Sequence, residues 1–405
     1  MPIVIQKYGG TSIGTVDKIL LVADKIISEK NKGNNLVVVV SAMSGETNKL
    51  INLAKSVEPD AFGRELDTLV STGEQVTISL LAMALIKKGH KAISLTGSQA
   101  GIITDAAFNK ARIESINNLT IKKYLDEGNI VVVAGFQGVT QDGDITTLGR
   151  GGSDTSAVAI SVALDATECQ IFTDVDGVYT TDPRISPGAK KINQITTEEM
   201  LELSSQGSKV LQPRAVEFAG KYDIGIRVLS TFGEGTGTLI KKENDDKMEK
   251  AIISGIAFNK DEAQLNIRGV PDQPGIASLI LGPIAELNID VDMIVQNVGE
   301  DGLANFTFTV PRDDYKTAMQ SLENSSKKLN AKKVKGNNEI VKISMVGVGM
   351  RTHAGIASKM FAALAKNNIN ISMISTSEIK ISIVTNEVNL EKAVNVLHTA
   401  FGLDK

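Results

Sequence analysis

The sequence predicts an α/β protein: a mostly parallel β-sheet with helices on both faces up to about residue 240, followed by two smaller, mutually similar modules. Three features predict it. Short β-branched runs alternate with segments of helical period, as a parallel sheet with crossover helices requires. Those runs end in polar or glycine-rich clusters, the pattern of a ligand-binding edge in an open α/β sheet. Later in the chain, Gly275-Ile276-Ala277-Ser278 recurs as Gly355-Ile356-Ala357-Ser358, which marks an internal repeat.

In chain order, Ile3 to Gln6, Leu36 to Val40, Ala92 to Leu95, Ile130 to Val133, Gln170 to Phe172 and Arg227 to Leu229 read as buried strands, because their apolar character barely alternates. Between the first two, Val16, Ile19, Leu20, Ala23, Ile26 and Ile27 keep the i, i+3, i+4 spacing of a helix with one core-facing stripe. Thr15 is its expected cap and Gly33 lies just beyond its end. Helices around Gln75 to Ile86 and Asp154 to Leu164 follow the same logic. The charge run Lys241 to Lys247 has no apolar period, so a first domain at 1–240 is expected to close on a solvated linker at 241–250. The repeat offset of 80 residues also pairs Ala285 with Ala365, Asn288 with Asn368, Ile289 with Ile369, Met293 with Met373 and Ile294 with Ile374. In each copy a strand (Gln264 to Arg268; Lys342 to Met345) leads through a turn and an amphipathic helix to another strand (Ile289 to Val295; Ile369 to Ile374), giving βαββ-like modules at 251–335 and 336–405.

The totals narrow the function. The chain has 405 residues, 42% hydrophobic and 22% charged, which suits two or three globular domains. A net charge of -4 and an isoelectric point near 5.6 give no basic field for a polyanion, so small-molecule chemistry is favoured over nucleic acid. The single cysteine, Cys169, cannot form an internal disulfide, and the first residues lack the regions of a signal peptide, so a cytoplasmic location is expected. Apolar runs such as Leu36 to Val40 fall far short of the roughly 20 residues that span a bilayer, so no membrane segment is expected.

The candidate chemistry follows the strands. The first ends in Lys7-Tyr8-Gly9-Gly10-Thr11-Ser12, the second in Ser41-Ala42-Met43-Ser44-Gly45, and the third in Thr96-Gly97-Ser98. The fourth ends in Gly135-Phe136-Gln137-Gly138 and the fifth in Thr173-Asp174-Val175-Asp176-Gly177. Glycines let backbone N–H groups approach phosphate oxygens, and a strand-end lysine can neutralise charge moving between phosphates during transfer. Lys7 precedes its glycines and no Walker motif occurs, so this is a nucleotide loop of another kind; an ordinary βα turn has the same residues. Leu148 to Asp154 is more specific, because a capping turn needs Ser153 or Asp154 but not Arg150 or the paired glycines. Glu74 opens a helix, where an acid complements the dipole in any protein, so position alone leaves its role open. Asp174 to Gly177 lacks the spaced ligands of a calcium loop, and no metal site built from protein side chains is expected. His90, His353 and His398 all lie outside these clusters. A carboxylate acceptor, with an ordinary pKa of about 3.9, needs no general base, so a site of Lys, Arg and glycine backbone suits carboxylate phosphorylation.

In combination these motifs resemble the aspartate kinases of the amino acid kinase family. Lys7 to Ser12, Ser41-Ala42-Met43, Arg64-Glu65-Leu66-Asp67 through Gly73-Glu74, Gly149 to Asp154, Thr173 to Arg184 and Gly207 to Leu211 match in order, and the similarity runs from Ile3 to Leu390. The resemblance implies a three-layer αβα sandwich followed by two ferredoxin-like βαββαβ ACT domains. It implies that Lys7 contacts the transferring phosphoryl group, Arg150 clamps the substrate α-carboxylate, Asp154 lies at the transfer centre and Glu74 takes the α-ammonium. Ser41, Thr47, Gly151, Gly152 and Ser153 would complete the aspartate site, with Leu125 and Asp126 bordering it. ATP would be held by Lys7, Tyr8, Gly9, Gly10, Thr173, Asp174, Tyr179, Arg184 and Lys209, with Mg2+ bridging its phosphates. The implied product is 4-phospho-L-aspartate, which opens the route to lysine, threonine and methionine.

ACT modules bind amino acids where two of them pair, so feedback inhibition by lysine, threonine or both is implied. By residue match, Asp272, Gly275, Ile276, Ala277, Asp290, Val291, Asp292 and Gln296 would face Ile356, Ala357, Asn370, Ile371, Ser377 and Glu378. Such modules are often interleaved, the second inserted within the first, so the tail from Val388 is expected to complete the first. A homodimer or larger assembly is implied, with or without an ACT-only subunit. One departure is His353-Ala354-Gly355, where the family usually has proline before the glycine; that leaves the turn less rigid and the effector response open. Another carboxylate kinase of this fold and a non-catalytic amino-acid sensor remain as alternatives. The paired modules with Glu74 and Arg150 argue against the first, and the joint presence of Lys7, Arg150, Asp154 and Lys209 argues against the second.

Overall fold

The computed structural model describes residues 1–242 and 253–405, so the predicted linker at 241–250 lies almost wholly outside the described residues. The chain divides into two units. The first holds Met1–Val178, Lys191–Ser205 and the stretch onward from Lys209; the second holds Tyr179–Lys190, Gln206–Ser208 and the carboxyl-terminal part.

The first unit begins with β1 (Ile3–Tyr8), α1 (Val16–Lys30), β2 (Asn35–Val40), α2 (Glu46–Val57), α3 (Arg64–Val70), α4 (Thr72–Lys87) and β3 (Ala92–Leu95). It continues with β4 (Ile102–Thr104), β5 (Ile113–Ile116), α5 (Leu119–Asp126), β6 (Ile130–Ala134), β7 (Gln137–Val139), β8 (Ile145–Thr147) and α6 (Gly152–Ala163). It closes with β9 (Glu168–Thr173), β10 (Gln194–Thr196), α7 (Thr197–Ser205), α8 (Pro213–Tyr222), β11 (Ile226–Ser230) and β12 (Thr238–Lys241).

Eight strands form one sheet in the order β10-β12-β11-β9-β1-β2-β6-β3. From β11 to β3 every pairing is parallel, and β12 runs antiparallel to β11. The six runs read as buried strands are these six parallel strands, each within two residues of its expected ends. Burial on both faces explains their unbroken apolar character: Leu36 to Val40 and Ile130 to Ala134 are wholly inaccessible. Helices α1 and α4 pack one face through Ile19, Val22, Ile26, Ile78, Leu81 and Leu85. Helix α6 lies against β1, β2 and β9. Thr15 caps α1 by accepting from Lys18 N–H at 3.3 Å.

A second small sheet, β5-β4-β7-β8, has no counterpart in the sequence reading. Its strands are three or four residues long, too short to display a period. The stretch Arg64–Lys87 is long and apolar enough to cross a membrane by composition, but 56% of its most apolar window is buried, and Thr77, Ile78, Leu81 and Leu85 face the core.

The second unit contains β13 (Gly255–Asn259), β14 (Glu262–Pro271), α9 (Ile276–Glu286), β15 (Ile294–Val298), β16 (Leu303–Pro311), α10 (Tyr315–Lys328) and β17 (Lys333–Asn337). It ends with β18 (Ile340–Val346), α11 (Ile356–Lys366), β19 (Met373–Thr376), β20 (Lys380–Asn386) and α12 (Leu390–Ala400). From β14 to β17 the chain forms a complete βαββαβ module whose sheet runs β15-β16-β14-β17. The other sheet runs β13-β18-β20-β19. The interleaving therefore runs opposite to the expected direction. Strand β13, assigned by sequence to the first module at 251–335, pairs antiparallel with β18, so the first module is inserted within the second. The tail completes its own module, because α12 buries Ala393, Val394 and Leu397 against Ile343, Met360 and Leu364.

Candidate active site

The parallel register aligns Lys7 of β1 with Val39 of β2 and Ile171 of β9, one or two residues before these strands reach their carboxyl ends. Alternation along β1 turns Lys7 away from the α1 side, where Val4 and Tyr8 pack, and toward α6. There Lys7 Nζ meets Asp154 Oδ1 at 2.5 Å, with the two side chains 12% and 10% exposed. Helix α6 can lie this close because, Asp154 apart, Ser153 to Ser161 are small or apolar and all are buried. Its cap is Gly151, with φ +74 and no side-chain hydrogen bond; Gly152 N–H is taken by Gly149 O at 3.0 Å, which leaves the N–H groups of Ser153 and Asp154 to an anion. Ser41 Oγ, just beyond β2, donates to Ser153 Oγ at 2.9 Å. Gly135, just beyond β6, leaves no room for a side chain, since a Cβ there would lie 2.8 Å from Ser153 Cβ.

Glu74 enters from the first turn of α4 and is 2% exposed. Its Oε1 accepts from Ala42 N–H at 2.9 Å, whereas its Oε2 is buried with no hydrogen-bond partner among the described residues. Burial pushes its pKa up to about 7 against the opposing pull of two backbone N–H donors, that of Ala42 and its own. A half-satisfied buried carboxylate is suited to receive a cation. Thr47, in the first turn of α2, is half-buried.

On the other side of β1, Tyr8 stacks on Phe172 with ring centroids 4.6 Å apart. Gly10 passes so close to the end of β2 that a Cβ would meet Ala42 O at 2.9 Å. Ser12 and Thr231, just past β11, share a hydrogen bond of 2.6 Å, and Thr231 Oγ1 donates to Thr173 O at 3.1 Å. Thr173 Oγ1 donates to Asp174 Oδ1 at 3.1 Å. Glycine-rich backbone and hydroxyls thus ring the end of β1 between β2 and β9.

The structure brings together Lys7, Tyr8, Gly9, Gly10, Ser41, Glu74, Gly151, Gly152, Ser153, Asp154, Thr173 and Asp174 around these strand ends and the start of α6. Arg150 is exposed on the turn before α6. Lys209 is exposed on a turn after α7. Leu125 and Asp126 stand apart. They end α5 just before β6 begins, at the amino-terminal edge of the sheet, where Leu125 is 3% exposed in the core and Asp126 faces solvent. The bordering role carried over for them by resemblance does not fit that place. Thr96 to Ser98 also leaves the cluster, since Gly97 packs against Gln137 at the start of β7.

Tyr179 and Arg184 belong to the second unit. Their segment is held there by Thr180, whose Oγ1 lies 2.8 Å from His398 Nε2 and whose carbonyl accepts from Ile256 N–H at 2.7 Å. Arg184 is paired with Asp182 at 2.7 Å.

The effector candidates of the first module divide between its ends. Asp272, Gly275, Ile276 and Ala277 follow β14, while Asp290, Val291 and Asp292 precede β15, which runs in the same direction, and Gln296 lies on exposed β15. In the second module, Ile356 and Ala357 open α11, Asn370 and Ile371 precede β19, and Ser377 and Glu378 turn between β19 and β20. Ile276 and Ile356 are core residues, so only their backbone could meet a ligand. Asp292 is already engaged, forming an ion pair with Lys342, which also meets Glu262 at 2.6 Å.

The sequence places Asp67 in a matching motif without a role; it is a fully buried acid tying α3 to Asn109 and Thr147. Its position in a helix's first turn gives no local sign of that role.

A family model of the amino acid kinases matches residues 2–230, and models of the ACT domain match 263–325 and 343–401. Over its whole length the chain is 60% identical to an aspartate kinase of Pseudomonas putida, covering 98% of that protein. It is 48% identical to an aspartokinase of Helicobacter pylori with both chains covered in full. Among solved structures, it is similar to E. coli aspartokinase III in complex with aspartate and ADP (R-state), with a TM-score of 0.80 at 25% identity, covering 98% of this chain and 99% of that one. The complex of the same enzyme with lysine and aspartate (T-state) gives a TM-score of 0.81 at the same identity and coverage.

Proposed function

The chain belongs to the aspartate kinases of the amino acid kinase family, and from that premise we propose that its strand-end cluster transfers the γ-phosphoryl group of ATP to the side-chain carboxylate of L-aspartate, giving 4-phospho-L-aspartate. The observation that carries this assignment of the site is Glu74 Oε2, buried and unpartnered beside the end of β2, where a substrate ammonium would complete its hydrogen bonding. Arg150 would take the α-carboxylate, and Ser41, Thr47 and Ser153 the remaining polar groups. The acceptor carboxylate is ionised at neutral pH, so the work left to the protein is alignment and charge neutralisation. Lys7, held by Asp154, supplies positive charge as the phosphoryl group moves, and the N–H groups opening α6 add partial positive charge from the same side.

ATP would lie along Lys7, Tyr8, Gly9, Gly10, Thr173 and Asp174, with Lys209 as a further contact. Among the described residues no group of three or more His, Cys, Asp or Glu side chains could hold a metal. Magnesium would come bound to the phosphates of the nucleotide and offset their charge. Trapping the product with hydroxylamine tests the reaction. The β-aspartyl hydroxamate is expected, and its absence while ADP is released would refute side-chain phosphorylation.

The catalytic domain is assigned to 1–240 and the regulatory part to the interleaved ACT modules, with chains pairing through them in the cytoplasm. Lysine is the favoured effector. Asp272, Asp290 and Glu378 are exposed carboxylates among the candidates and suit a ligand with two ammonium groups, and lysine is bound in an E. coli relative. Threonine, which has one ammonium, is the second choice. Such control fits an enzyme opening the route to lysine, threonine and methionine, and titrating both amino acids into the assay tests it.

A further inference from the structure

Asp67 is inaccessible to solvent, and its carboxylate accepts from four donors, none of them a cation. Oδ1 receives Asn109 Nδ2 at 2.5 Å and Thr147 Oγ1 at 2.6 Å. Oδ2 receives the backbone N–H groups of Asn109 at 2.9 Å and Thr147 at 2.8 Å. Both lone pairs of both oxygens are thereby used. Asn109 is fixed in turn: it sits at φ +67, its Oδ1 accepts from Gly63 N–H at 2.7 Å, and this bond sets which end of its amide faces Asp67.

Thr147 ends β8 and leads directly into the Arg150 turn. Leu148 donates its N–H to Phe136 O at 2.8 Å and accepts from Arg214 Nη1 at 2.8 Å. Gly149 and Gly151 flank Arg150 with φ values of +75 and +74, and a Cβ on Gly149 would stand 3.1 Å from Asn109 O. Arg150 is thus suspended between two left-handed glycines, whose backbones are intrinsically permissive. On its incoming side the turn is restrained by the two Leu148 bonds and, through Thr147, by the Asp67–Asn109–Thr147 cluster; α6 restrains the outgoing side.

We infer that Asp67, acting with Asn109, is a positioning residue for Arg150 and so for recognition of the substrate α-carboxylate. The inference rests on the reading of Arg150 given above. No other side chain of this size can accept from two backbone N–H groups and two side-chain donors at once. In Asp67→Asn one carboxylate oxygen becomes an NH2 group. The Thr147 hydroxyl can rotate to accept from it, but the Asn109 amide cannot turn over without losing Gly63, so a donor faces a donor and the turn shifts.

The test is steady-state kinetics on the full-length chain for wild type, Asp67→Asn, Arg150→Ala and the double variant, with aspartate and ATP varied separately. Asp67→Asn is expected to raise KM for aspartate roughly tenfold or more, as a misplaced clamp does, with KM for ATP nearly unchanged. In the Arg150→Ala background the same substitution should add little, because the group it positions is gone. Equal rises in both KM values, or effects that multiply in the double variant, would show a merely structural role. If Arg150→Ala raises KM for aspartate and Asp67→Asn does not, the positioning role is refuted while the Arg150 reading stands. If Arg150→Ala leaves that KM unchanged, the Arg150 reading itself fails and takes this role with it. Thr147→Val, which removes one donor without opening a cavity, should move KM for aspartate in the same direction by less; no change there also counts against the inference.

Discussion

Lys7 Nζ and Asp154 Oδ1 form an ion pair of 2.5 Å at the start of α6, nearly closed to solvent. The pair fixes a long side chain that would otherwise sample many rotamers, so the positive charge is in place before the phosphoryl group moves. Lys7→Met should lower kcat roughly 10²- to 10³-fold, as loss of one preorganised charge does, while KM for aspartate changes little. ADP release measures the rate, and circular dichroism checks that the fold is retained. A kcat within threefold of wild type would remove Lys7 from the chemistry.

Glu74 makes the reaction pH-dependent. With its pKa pushed up to about 7 by burial, half of the free protein carries a neutral Glu74 near that pH, and a neutral carboxyl cannot pair with an ammonium. KM for aspartate should therefore rise as pH falls from 8 to 6. Stability moves the other way. The folded pKa exceeds the ordinary 4.5, so the stabilising contribution is fully present below 4.5 and is lost as pH rises through about 7. Glu74→Gln should accordingly stabilise the ligand-free protein at pH 8, by up to an order of 3 kcal/mol, and much less at pH 5. Thermal midpoints at the two pH values check this, and a gap that widens at low pH would contradict it.

Lys342 is the main buried charge of the second unit. Its side chain is 3% exposed, that of its partner Glu262 is 5% exposed, and Asp292 shares the ammonium. Burial acts to lower its pKa, but the two carboxylates together outweigh it and hold the value above the ordinary one. Lys342→Met strands Glu262 and should destabilise the unit by about 3–5 kcal/mol. Replacing both partners with apolar residues, Lys342→Met with Glu262→Leu, should recover most of that loss. Unfolding transitions of the two variants decide it, and equal losses in both would mean that the pair is not the cause.

Gly135→Ala should disturb substrate binding without touching the substrate. Its Cβ would stand 2.8 Å from Ser153 Cβ and 3.0 Å from Ser153 Cα, so the first turn of α6 must move. A severalfold rise in KM for aspartate is expected in the same assay. An unchanged KM would mean that Ser153 is not in contact with the substrate.

Much of this architecture was legible because burial leaves a local trace. The central strands β2 and β6, buried on both faces, could only be apolar runs, and the glycine-rich clusters after β1 and before α6 announced the close approaches seen at Gly10 and Gly151. What escaped depends on distant partners. The carboxylate of Asp67 lies 80 residues from Thr147 in sequence, and either residue alone resembles an ordinary helix or strand terminus. The exchange of β13 was hidden for a similar reason: the repeat offset aligns the two modules but says nothing of which sheet Ile256 joins, and it pairs with Met345. Leu125 shows the opposite failure, a residue carried to the substrate by resemblance whose helix turns it into the core.

The most direct test of the assigned site compares L-aspartate with succinate, which lacks the α-ammonium, in wild type and in Glu74→Gln, by ADP release. If Glu74 reads the ammonium, kcat/KM for aspartate falls in the variant toward the succinate value, while the succinate value hardly changes. If both substrates lose activity by the same factor, Glu74 does not contact the ammonium, and the placement of aspartate at the ends of β1 and β2 is wrong.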